Sequence, residues 1–313
     1  MKKQSNWIYV VPVCIGIISL LLIVHFVICG NDMKETFTTR HKCAFVIPLH
    51  PKHYNHGYAI AKELAQSDAD LYFVFSTEED KNDFFKNADS GINLQYLILT
   101  DFTNLEIVQS TNSFVSIKKL YAVSQLYEKY DYISCIDSEI MFLKKNGFYD
   151  MMRSICEAKT ICGGTLHEGS GDINILRDSL TKLTDANDHE DLRKLSNDFR
   201  TYTWWTNLPV YDCKHVADFL KWIDFKNTNL HRFSWNVFDD MLYNFYCILM
   251  HNYTLKEIVN HNHSLEFANH DIVEYVDTKL CKLYWVNNNA YRQNKEYYEQ
   301  NGFYIVFHLD RWE

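Results

Sequence analysis

Proline and glycine are scarce in this chain, four and ten among 313 residues. That scarcity argues against a repeat of short strands and turns, and no internal period is visible. None of the nine cysteines forms a C-x-x-C pair, which argues against a zinc ribbon or a thioredoxin-like redox site. No Lys/Arg-rich run occurs and the net charge is −9, so a nucleic-acid-binding surface is not expected. G-x-S-x-G, a Walker loop and H-E-x-x-H are all missing, which removes three common hydrolase and nucleotidase signatures.

Charge is also missing from Trp7 to Cys29, and that gap is informative. About 20 apolar residues cross the hydrocarbon core of a bilayer. A cleaved signal peptide has an apolar region of only ~7–15 residues ending in small residues, and no A-x-A-like pair precedes Gly30. Lys2 and Lys3 favour a cytosolic N-terminus. The expected organisation is a cytosolic tail (1–6), a transmembrane signal anchor (7–29), a polar stem (30–42) and one lumenal domain (43–313). The chain then reads as a single-pass type II membrane protein.

The composition is 47% hydrophobic, 15% aromatic and 23% charged, as expected of a globular domain rather than a disordered one. Apolar runs at Cys43–Ile47, Leu71–Phe75, Leu94–Leu99 and Tyr132–Ile136 have strand character. Between them lie helical patterns at about Tyr58–Ala65, after the Ser76/Glu79 capping box, and over Phe114–Tyr127. Alternating strands and helices predict an α/β fold, a Rossmann-type mostly parallel sheet flanked by helices. Ligands of such sheets bind at the carboxyl ends of the strands.

Beyond about residue 145 the pattern weakens. Helices are expected over Gly147–Glu157, Cys213–Ile223 and Phe238–Met250, with a strand at Thr160–Cys162. Trp204–Tyr211 reads as extended, and a last strand runs over Phe303–Phe307 before His308. Cys135 and Cys162 sit in apolar runs and read as core residues. Seven cysteines lie outside the anchor, so an oxidising lumen leaves at least one thiol unpaired or intermolecular. Asn252-Tyr253-Thr254 and Asn262-His263-Ser264 are N-glycosylation acceptor triplets.

Tyr132-Ile133-Ser134-Cys135-Ile136-Asp137-Ser138-Glu139-Ile140-Met141-Phe142 is the most informative segment. Two carboxylates interrupt an apolar run, and burying them there needs a compensating charge. Alternate residues at a strand end face the same way, so Asp137 and Glu139 are expected to converge on one ion. Oxygen ligands favour hard cations, Mn²⁺ or Mg²⁺, which also hold phosphate oxygens.

An apolar strand, Asp-x-Glu, then a second short apolar strand resembles the metal-binding signature of GT-A-fold glycosyltransferases. The Lys118-Lys119-Leu120-Tyr121-Ala122 helix leading into Tyr130-Asp131-Tyr132 resembles the stretch before that motif, and Phe45-Val46-Ile47-Pro48 resembles the first nucleotide-binding strand. An N-terminal anchor with a stem is the usual layout of such enzymes in the Golgi and other secretory membranes. The likeness covers roughly residues 43–165, the expected nucleotide-sugar-binding half, and leaves 166–313 as the acceptor half. Asp-x-Glu departs from the commoner Asp-x-Asp, and no one family within the fold is assigned.

The resemblance implies a divalent cation on the diphosphate of a nucleotide sugar, and transfer of the sugar to a glycan, glycoprotein or glycolipid. Asp137 would meet the ribose or the metal, Glu139 the metal, and His308 would be a further ligand. Lys118 or Lys119 would neutralise the diphosphate. For inversion at the anomeric carbon, Asp239 and Asp240 are the candidate bases, although acids in a helix's first turn also suit its dipole. Trp204-Trp205 suit sugar stacking or a core equally. His50, His53 and His56, and His261 with His263, have spacings compatible with a transition metal. Two other readings stand beside this one. They are a non-catalytic lumenal domain that binds sugars or partners, and a metal-dependent phosphohydrolase or nucleotidyltransferase.

Overall fold

Strand β1 (Cys43–Pro48) is buried at every position, as a continuous apolar run between two helical layers must be. The computed structural model describes residues 42–88, 94–102, 114–165, 201–202, 207–225, 237–258 and 285–309. The expected anchor, the expected stem up to residue 41, Trp204-Trp205, Asn262 and the His261/His263 pair lie outside the described residues. Among the described residues no helix is long and apolar enough to cross a membrane.

The central sheet has five strands in the order β3-β2-β1-β4-β8. They are β2 (Asp70–Phe75), β3 (Gln95–Ile98), β4 (Tyr132–Cys135) and β8 (Val210–Asp212), around β1. β1, β2, β3 and β4 are mutually parallel, and only β8 runs antiparallel, against β4. This is the mixed α/β architecture with a mostly parallel sheet that the alternation predicts. From β1 the chain moves outward to β2 and β3, then returns to place β4 on the other side of β1. The strand order therefore reverses between β1 and β4, where doubly wound sheets open a crevice at their carboxyl ends.

Two small sheets flank this core. β5 (Ile140–Phe142) pairs antiparallel with β11 (Ile305–Phe307), which pairs parallel with β10 (Trp285–Asn287). β6 (Thr160–Thr165) lies between β7 (Thr201–Tyr202) and β9 (Thr254–Ile258).

Helix boundaries follow local chemistry. A 3₁₀ turn at Pro51–His53, capped by the His50 side chain, feeds directly into α1 (Tyr54–Glu63), so that helix starts a turn earlier than its apolar pattern suggests. α2 (Glu78–Asn87) uses Thr77 and Asp80 as its capping box, not Ser76 and Glu79. The reason is that the Ser76 carbonyl still accepts from Thr100 at the sheet edge. α3 (Phe114–Leu126) packs on β1, β2 and β4 and is buried from Ser116 through Val123. α4 (Phe148–Ala158) begins where Asp68 accepts from the Gly147 backbone N–H at 2.7 Å. α5 (Cys213–Trp222) and α6 (Asp239–His251) follow, and α6 is buried on all sides from Asp239 to Cys247. α7 (Asn288–Gln293) and α8 (Lys295–Gln300) precede β11.

Cys135 and Cys162 are core residues, and the described cysteines Cys43, Cys135, Cys156, Cys162, Cys213 and Cys247 are all buried free thiols. Burial pushes Cys43 and Cys247 up to about 12, which leaves little thiolate for exchange or metal binding. Asn252, the first acceptor asparagine, is exposed in the left-handed cap of α6.

At the opposite end of β8, His215 of α5 and His251 of α6 stack with ring centroids 3.6 Å apart. Burial holds both pKa values below 6.5, and for His215 the second imidazole adds to it. Asp212 opposes the shift in both, while Lys214 and Lys159 reinforce it and Asp218 also opposes it at His251. A histidine depressed in the fold takes up its proton more readily when unfolded, so stability falls as pH drops below about 6.5. His251→Phe should keep the stack and flatten that dependence. The check is the change in melting temperature between pH 7.5 and 5.5, and an equal drop in wild type and variant would refute it.

Candidate functional site

Asp137, Ser138 and Glu139 occupy the turn between the end of β4 and the start of β5. They lie at the carboxyl end of the strand that borders the reversal, and the loop after β1 faces them. The Ile136 N–H still donates to Val46 at 3.1 Å, so the sheet runs right up to the acidic turn. Because the pair sits in a turn rather than on a strand, strand alternation does not orient it. Each carboxylate instead engages a different basic side chain.

Asp137 meets α3. Lys119 Nζ lies 2.9 Å from Asp137 Oδ1 and 4.0 Å from Asp239 Oδ1. Asp239 Oδ2 accepts from the Tyr211 hydroxyl at 2.7 Å. Asp239 and Asp240 are buried, at 2% and 6% exposure, so they are not the solvated first-turn acids that the helix dipole alone would favour. Burial pushes the Lys119 pKa down, but Asp137, Asp239 and Asp240 together outweigh it and hold the ammonium charged. Burial raises Asp239 and Asp240, Asp240 up to about 7, with Asp239 adding to that rise and Lys119 opposing it. One lysine thus faces three aspartates, and the surplus negative charge favours the protonated form of the two buried acids.

Lys118 points elsewhere. Successive residues on a helix project about 100° apart, and Lys118 Nζ donates to the Leu49 carbonyl at 2.8 Å. It is 4% exposed, and burial lowers its pKa to about 8, with Asp80 acting the other way. Buried lysines usually carry a carboxylate partner; this one has a backbone carbonyl in the loop after β1. Pro48, the last residue of β1, sits beside Val74 at the foot of the same loop.

Glu139 meets that loop too. His53 Nδ1 is 2.7 Å from Glu139 Oε1 and 2.8 Å from Ser138 Oγ. The Ser138 hydroxyl donates to Glu139 Oε2 at 3.3 Å. The Leu309 N–H donates to the Glu139 carbonyl at 3.1 Å. That bond brings His308, which is buried and left-handed at φ 62° directly after β11, to the same rim.

The structure therefore brings Asp137, Lys119, Asp239 and Asp240 into one cluster, and Glu139 with the His308–Leu309 segment into another. Lys118 joins neither. His53, Ser138 and Tyr211 are the participants that sequence reasoning did not assign. His53 was visible there only as one of three evenly spaced histidines. Its place a few residues past a buried strand was the usable signal. In comparisons with known proteins, no family model matches the chain and no curated protein matches it.

Proposed function

We propose that this chain is a membrane-anchored, GT-A-like glycosyltransferase, held in a secretory-pathway membrane by residues 7–29, with its active site in the crevice between β1 and β4. The observation that carries the reading is the position of Asp137-Ser138-Glu139 at the carboxyl end of β4, beside the strand-order reversal. A buried, carboxylate-free lysine, Lys118, faces the neighbouring loop.

A divalent cation, Mn²⁺ or Mg²⁺, fits the donor chemistry. No group of three His, Cys, Asp or Glu side chains converges among the described residues. An ion of nucleotide chemistry does not require one, since it is usually held by one or two carboxylates plus substrate phosphates. Asp137 and Glu139 supply oxygen donors, with His308 on the same rim. Glu139 is already hydrogen-bonded, as ligating carboxylates generally are. When bound, the ion would neutralise charge that develops on the departing nucleoside diphosphate.

The chain's own groups do the rest. Lys118 offers a positive charge to the diphosphate from the loop side. Lys119 fixes Asp137 and Asp239. Asp240, poised near 7, and Asp239 are the groups able to accept a proton from an acceptor hydroxyl, because a base works best with a pKa close to the operating pH. The non-catalytic reading draws on one observation: Lys119 already gives Asp137 a counterion within the chain. The two readings separate when the full chain, purified in mild detergent, is incubated with Mn²⁺ and a panel of nucleotide sugars. Release of nucleoside diphosphate supports the transferase. Binding without release supports the binding module.

A further inference from the structure

We propose that His53 is a positioning residue that sets the carboxylate of Glu139, so that cation affinity at the acidic turn depends on the loop after β1; this rests on the cation reading above.

Glu139 is fixed from three directions by three parts of the chain. His53, at the end of the 3₁₀ turn after β1, takes Oε1 at 2.7 Å. Ser138, itself 3% exposed, takes Oε2 at 3.3 Å. Leu309, just past β11, takes the backbone carbonyl at 3.1 Å. A carboxylate oxygen that accepts one hydrogen bond keeps a second lone pair, so this bracing leaves Glu139 able to bind a cation while removing its rotamer freedom. The His53 and Glu139 side chains are 13% and 17% exposed, well short of the solvation that makes surface ion pairs nearly worthless.

The same distances exclude a nucleophilic relay. Ser138 Oγ and Glu139 Oε1 both approach the one ring nitrogen, Nδ1, whereas a relay needs one partner on each nitrogen. The three rings lie close together, with His50–His53 and His53–His56 centroids 6.2 and 5.8 Å apart, yet they take different partners. The His50 side chain caps the 3₁₀ turn by accepting from the Lys52 N–H, while His53 reaches Ser138 and Glu139 in the acidic turn. The every-third-residue spacing thus serves a helical turn and one long-range contact, and no group of three ligating side chains converges among the described residues.

The test is Mn²⁺ binding alone, followed by electron paramagnetic resonance of the free ion, on the full chain and its variants. Glu139→Gln should lose most of the binding. His53→Ala should weaken it about 10- to 100-fold, the usual effect of removing a residue that orients a ligand. His53→Asn, whose amide nitrogen can take the place of Nδ1, should return it to within about threefold. If His53→Ala does not fold, His53→Gln replaces it, because its amide lies one methylene too far. Asparagine and glutamine variants of equal affinity would then overturn the proposal. Wild-type affinity in His53→Ala, with loss in Glu139→Gln, overturns the role of His53 and leaves the cation reading intact. Equal binding by wild type and Glu139→Gln overturns both.

Discussion

Lys119→Met is expected to destabilise the fold by about 3–5 kcal/mol, the cost of removing one partner from a buried charge pair. The lysine is 7% exposed and holds Asp137 at 2.9 Å, with Asp239 at 4.0 Å. Without it, Asp239 and Asp240 are left as two buried acids with only the Tyr211 hydroxyl and backbone groups to stabilise charge. The loss should depend on pH, and its sign is fixed. Asp240 in the fold sits at about 7, above its ordinary 3.8, so the folded state keeps a proton that the unfolded chain sheds. The stability linked to that proton is complete below about 3.8 and disappears as pH rises through about 7. Lys119 opposes the rise; removing it pushes the acid higher and makes the variant worst at alkaline pH. Urea titrations at pH 5.5 and pH 8 would show this. A loss below about 1 kcal/mol, or one indifferent to pH, would mean that Lys119 is not the counterion of the cluster.

Asp137→Asn and Glu139→Gln are expected to lower turnover in the proposed glycosyl transfer about 10²- to 10³-fold each, comparable to deleting one preorganised electrostatic contact to the transition state. Both changes are nearly isosteric, and neither should imitate Lys119→Met in stability. In Asp137→Asn the lysine still faces Asp239 and Asp240, and Asp137 is the most exposed member, with its side chain at 32%. Turnover within threefold of wild type in either variant, at saturating Mn²⁺, would remove that carboxylate from the proposed site. Activity lost in step with melting temperature would point to structure instead of chemistry.

The first half of the fold was legible because its strands are uninterrupted apolar runs separated by helical spacing. β1, β2 and β4 need no tertiary information to be recognised. The second half was not. β10, α7 and α8 are short and mix aromatic with polar residues, β9 mixes aliphatic with charged ones, and β8 is held by pairing with β4 more than by its own three residues. The acidic turn was legible as carboxylates breaking an apolar run. What they touch was not, because Lys119, His53 and Leu309 arrive from elsewhere in the sequence. Two adjacent lysines look interchangeable in one dimension; helical geometry sends one to Leu49 and the other to Asp137.

The antiparallel pairing of Met141 with Val306 has a consequence for biogenesis. The central sheet can form soon after β4 is synthesised, apart from β8, whereas the clamp from Leu309 onto Glu139 must wait until β11 has been made. A nascent or truncated chain lacking that strand would carry the parallel strands of the central sheet with a loose acidic turn. Such a species would also leave uncovered the core positions that Ile305, Val306 and Phe307 fill. Completion of the site is thereby tied to translation reaching β11.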